Sequence, residues 1–185
     1  MIKDFPLELV DFICNKLSVK LLKNSCAKDT IFYILNEKRI EKYWVKNGII
    51  ELIENNDLQG IKYLHIHGAD ITSGNNYAIK WASRKGHLEV VKYLHTNGAD
   101  ITARDNCTIG LASKNDHLEV VKYLHVNGAD ITVVNNCSIR WASENGHLKV
   151  VKYLHVNGAD ITAGNNYSIR LASQKVHLEV VKYLH

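Results

Sequence analysis

No stretch of the 185-residue chain approaches the roughly 18 consecutive apolar residues that a membrane span requires. Nor is there a run of five like charges, which excludes an electrostatic tail. Strong charge of one sign is also missing. The net charge is +4, with +3 in residues 1–46 and +1 in the rest, too thin a basic footprint to expect a nucleic-acid partner. The opening "MIKDFPLELVDFICNKLS" carries Asp4, Glu8 and Asp11 where a secretory signal would be apolar. This leaves the cytoplasm as the expected compartment, with the nucleus as the alternative. The chain lacks G-x-G-x-x-G, a P-loop, C-x-x-C and G-x-S-x-G, the spacings that cradle phosphates or present a nucleophile. No variable position sets a nucleophile beside a base, so the expectation is a protein without catalytic residues or cofactors.

What is present is repetition. "GHLEVVKYLHTNGADIT" at 86–102 is nearly rewritten at 116–132 and 146–162, and its first half returns at 176–185. Gly68, Gly98, Gly128 and Gly158 of the "GAD" triplets stand thirty residues apart. A fixed period in this range marks a solenoid, in which each unit buries its apolar face only against its neighbours. The units run at about 75–104, 105–134, 135–164 and 165–185, the last incomplete, with a degenerate copy at about 45–74.

Within a unit, "YAIKWASR" (77–84) places Ile79 and Ala82 three apart and Tyr77 and Trp81 four apart, which predicts a helix of two turns. Asn76, Asn106, Asn136 and Asn166 precede it as expected N-caps. "HLEVVKYLHTN" carries Leu88, Val91 and Leu94 along one side and a Glu89–Lys92 pair on another, and Gly98 is the expected helix stop. "ADITARDN" reads as an extended link to the next unit.

Four cysteines, at 14, 26, 107 and 137, do not form a disulfide framework. Cys107 and Cys137 occupy matching places in adjacent units, and packed helices lie about 8–10 Å apart, beyond the roughly 7 Å between Cα atoms that a disulfide spans. Reduced thiols are expected. All ten histidines fall in the repeats. His87 and His95 are eight apart, or about 12 Å along a helix, too far to share an ion, so no metal site is expected.

"GHLEVVKYLHTNGAD" resembles the second helix and following turn of an ankyrin repeat, and "LAS" at 111–113 resembles the end of its first helix. The resemblance covers residues 45–185. It implies an all-α solenoid of stacked helix-turn-helix units with short hairpin links, and a partner protein held on the concave face lined by the first helices. Two departures matter. The units are 30 residues long, where the family's are about 33, and the missing residues fall in the projecting hairpin. The family's "TPLH" is replaced by "YAIK", "CTIG", "CSIR" and "YSIR". Both departures turn attention from fingertips to the groove, whose length, on the order of 40–50 Å for five units about 10 Å apart, suffices for an ordinary interface.

Where near-identical units differ, recognition is expected. Lys80/Arg84, Gly110/Lys114, Arg140/Glu144 and Arg170/Gln174 are i,i+4 pairs on one face of the first helix, mainly basic, which points to an acidic protein partner. The bland reading of the same residues is a solvated face with Arg140 paired to Glu144, worth only tenths of a kcal/mol. Tyr77 and Tyr167 stand at the groove edge with Cys107 and Cys137. Trp81, Leu111, Trp141 and Leu171 alternate large and small, as interdigitating layers do.

Residues 1–44 stand apart from the repeat. Leu9, Phe12, Ile13, Lys16 and Leu17 follow helical spacing after Pro6, the only proline, at a helix start. The stretch resembles the opening of an F-box: Pro6, Glu8, Leu9, Ile13, Leu17, Leu21 and Leu22 agree with its pattern, Phe5 replaces its leading Leu, and Trp44 stands near its closing tryptophan. That resemblance implies docking on a Skp-type adaptor of a cullin ubiquitin ligase through Phe5, Pro6, Leu9, Ile13, Leu17 and Leu21. The other reading is a helical cap on the first repeat, which solenoids need in any case. The Asn- and Lys-rich, nearly duplicated units look like those of ankyrin proteins encoded by giant amoeba viruses of the mimivirus type.

Overall fold

The computed structural model describes residues 48–66 and 68–185; Phe5, Pro6, Leu9, Ile13, Leu17 and Leu21, with the rest of the F-box-like stretch, lie outside them. The chain divides into two compact units, Met1–Asp70 and Ile71–His185. No strand occurs among the described residues. In the first unit, α1 (48–54) and α2 (Leu58–Ile66) bury Ile49, Leu52, Ile53, Ile61 and Leu64. Asp57 caps α2: its Oδ1 accepts the Gly60 N–H at 2.9 Å.

The second unit repeats one pair of helices four times. First helices are α3 (Ser73–Lys85), α5 (Ala103–Lys114), α7 (Val133–Glu144) and α9 (Ala163–Gln174); second helices are α4 (Leu88–Thr96), α6 (Leu118–Val126), α8 (Leu148–Val156) and α10 (Leu178–Leu184). First helices stack in order, α3 on α5 on α7 on α9, and each second helix packs on its own first. The core is therefore a column of small and branched side chains: Ile79, Ile109 and Ile139 with Ala82, Ala112 and Ala142 from the first helices, all fully buried. Val90, Val91 and Leu94, and their equivalents 30 and 60 residues on, complete it from the second. The buried set on the second helix is thus Val90, Val91 and Leu94. Leu88 is only half-buried, because it opens the first turn beside the loop rather than facing the core.

The helix stops behave as their glycines require. Gly98, Gly128 and Gly158 have φ near +100°, a region closed to a residue with a Cβ, and the following alanine N–H donates back to Leu94, Leu124 or Leu154. The flank of repeat 165–185 is more open: Ile169 and Val181 are half-buried where their equivalents are fully covered, and Val176 and Leu178 are exposed.

The links differ from the expected hairpins and caps. Asp100, Asp130 and Asp160 each accept both the N–H and the hydroxyl of the threonine two residues on, at 2.6–2.8 Å. The chain then makes a left-handed turn of three residues: Gly74–Asn76, Arg104–Asn106, Val134–Asn136 and Gly164–Asn166, all with φ of 50–63°. Asparagine is suited to this region because its short polar side chain bonds locally. The predicted N-caps therefore have another task. With its backbone left-handed, Asn76 points its Oδ1 to the N–H of Asp100 at 2.8 Å, and Asn106 and Asn136 do the same for Asp130 and Asp160. Asn76, Asn106 and Asn136 each fasten their repeat's turn to the link that follows.

Candidate functional site

Two kinds of histidine join neighbouring repeats. His117, His147 and His177, just before the second helices, donate Nε2–H to the carbonyls of Arg84, Lys114 and Glu144, each at 2.9 Å. They satisfy carbonyls left open at the end of the preceding first helix. His95, His125 and His155 are hydrogen-bonded through Nδ1 to the hydroxyls of Tyr123, Tyr153 and Tyr183, again at 2.9 Å. Among the described residues no group of three or more His, Cys, Asp or Glu side chains is placed to hold a metal ion. The only sequence signal for these roles was recurrence, which marks a position without saying what it touches.

The residues singled out on the first helices fall into three local groups. In α3, Tyr77 stacks on Trp81 with ring centroids 5.8 Å apart, and Arg84 and Lys85 lie over the indole at 4.8 and 5.6 Å. Cations over an aromatic face are attracted by its quadrupole, so this half-exposed tryptophan carries a basic rim. Between α7 and α9, the Tyr167 ring lies between Arg140 at 4.7 Å and Arg170 at 5.7 Å. Arg140 therefore turns to Tyr167 rather than pairing with Glu144, and its Nη1 donates to the Asn135 carbonyl at a long 3.5 Å. At the loop end, Lys114 and Glu144 line a shallow depression of about 370 Å³ with Asn145, Lys175 and His177. Gln174 is exposed at the same end of α9.

Lys80 departs from the rest of its face. It is only 7% exposed, and burial, helped by the like charge of Arg104, holds its ammonium below the ordinary lysine range. Gly110, its equivalent one repeat on, is covered from the next unit: a Cβ there would stand 2.6 Å from the Trp141 ring. The alternation of tryptophan and leucine thus is interdigitation at Trp141, while Trp81 is the floor of the basic rim. Cys107 and Cys137 are free thiols, and burial pushes the Cys137 thiol up.

Charge separates the two helix sets. The first-helix segments of the second unit, with the turns after them, hold Lys80, Arg84, Lys85, Arg104, Lys114, Arg140, Arg170 and Lys175 against Asp105, Asp116 and Glu144. The second-helix segments, with the links after them, hold five lysines against Glu89, Glu119, Glu179, Asp100, Asp130 and Asp160, and three of the lysines are already paired: Lys92, Lys122 and Lys182 lie 2.7–2.8 Å from Glu89, Glu119 and Glu179. Among the described residues no helix is long and apolar enough to cross a membrane. The family model described as ankyrin repeats (3 copies) matches residues 16–105 and 109–185. With the thirty-residue step and the stacked helix pairs, this match shows that the chain belongs to the ankyrin-repeat family, whose repeats form a module for binding other proteins.

Proposed function

We propose that the chain is a non-enzymatic binding module that takes an acidic protein partner along its first-helix face. The observation that carries this reading is the asymmetry of charge: eight basic side chains against three acidic ones in the first-helix segments and the turns after them, with the second-helix segments and their links nearly neutral. Exposed Arg84, Lys114 and Arg170 supply long-range attraction, and the Trp81 and Tyr167 rings supply the aromatic contact area in which binding energy concentrates. The test is binding of a labelled Glu/Asp-rich peptide by fluorescence anisotropy. Charge reversal by Arg84→Glu with Lys114→Glu lowers affinity about tenfold or more, while Lys92→Glu with Lys122→Glu on the second helices leaves it within about twofold. Equal losses from both pairs would remove the first-helix face from the proposal.

For residues 1–44 two readings compete. Pro6, Glu8, Leu9 and Ile13 match the opening of an F-box, with Phe5 in place of its leading Leu, which supports a substrate receptor that holds a Skp-type adaptor with one end and its target with the other. The ankyrin match begins at residue 16 and takes in Leu17 and Leu21, which favours the plainer alternative, helices that cap the solenoid. Co-purification with the adaptor, lost on Phe5→Ala with Pro6→Ala, separates the two.

A further inference from the structure

The first-helix face holds two cations whose hydrogen-bonding capacity is not met within the described residues. Lys80, only 7% exposed, has no hydrogen bond or ion pair among them. Arg140 is half-buried, and its Nε is buried without a partner. A buried polar atom left unpaired is costly, and a ligand group that pairs with Arg140 Nε would recover that cost. The two side chains occupy the same register of the helix, two repeats apart. Between them stands Gly110, covered by the Trp141 ring, so the middle repeat places no charged side chain at this register.

We infer that Lys80 and Arg140 are the two ends of a carboxylate-reading register, and that its ligand is an extended acidic peptide running along the repeats. Resting on the acidic-partner reading, this adds a spacing. Repeats stack at about 10 Å, so the two cations are about 20 Å apart. At about 3.3 Å per residue, carboxylates about six residues apart on an extended strand reach both. The lowered proton affinity of Lys80 fits the same picture, since an arriving carboxylate favours the charged form.

The probe is a set of fluorescein-labelled Ser/Gly peptides bearing two glutamates, with separations from roughly three to nine residues. Anisotropy titrations on the full chain give affinity against separation, and thermal melts of each variant report folding. Affinity peaks near six, about tenfold above the extremes, and Lys80→Met or Arg140→Gln flattens the peak. Acidic peptides that bind without regard to separation, or bind Lys80→Met as they bind the parent, overturn this inference and leave the acidic-partner reading standing. Failure of every acidic peptide to bind overturns both.

Discussion

At the scale of single residues, Asp100, Asp130 and Asp160 each gather two donors from one threonine. For Asp100 and Asp160 the Thr102 and Thr162 hydroxyls, then their N–H groups, hold the carboxyl below its usual range; for Asp130 the Thr132 N–H leads. A carboxyl whose pKa is lower folded than unfolded contributes stability that is complete above the unfolded value and is lost as pH falls through the folded one. Urea denaturation across pH is expected to show an acid limb below about pH 4. Replacing all three by Asn, which keeps an oxygen acceptor but cannot titrate, should flatten that limb and leave the neutral plateau only slightly lower. An unchanged acid limb would assign the loss to other carboxylates.

Among elements, the left-handed turn is the one that the residues disclosed least. The period, both helices, the glycine stop and the Glu89–Lys92 pair were legible because each rests on local propensity or on spacing within a few residues. Asn76 was legible as a special position but not in its task. Its partner, the Asp100 N–H, is 24 residues away, and no local rule reaches that far. The burial of Lys80 was not legible for a related reason: helical spacing puts it beside Arg84, yet burial depends on what the adjacent repeats bring to it. Val134 shows what the turn costs. It sits at φ 50° where two other repeats have glycine, and a β-branched residue there is strained. Val134→Gly is expected to raise unfolding free energy by about 1 kcal/mol, whereas Val134→Ala, which retains a Cβ, should recover little of it. Equal effects in urea titrations would show that the Cβ is not the source of strain.

For the molecule as a whole, the bonds between repeats recur at constant offsets, so a complete repeat should be removable. Deleting residues 135–164 brings His125 to Tyr183 and His177 to the Lys114 carbonyl, in the positions that Tyr153 and His147 now fill. The shortened chain is expected to remain helical by circular dichroism and to unfold cooperatively. Its melting temperature should fall by several degrees and its urea m-value by about a sixth, in proportion to surface lost. A broad, non-cooperative transition would mean that the repeats are less interchangeable than their bonds suggest.

The histidine–carbonyl contacts bear on how the chain behaves in company. Every first helix offers the same open carbonyl and every second helix brings the same imidazole, so one molecule's ring fits another's socket as well as its own. At high concentration such a protein has little chemical means of telling self from neighbour while it folds, and exchange of whole repeats between chains is the error its own regularity invites.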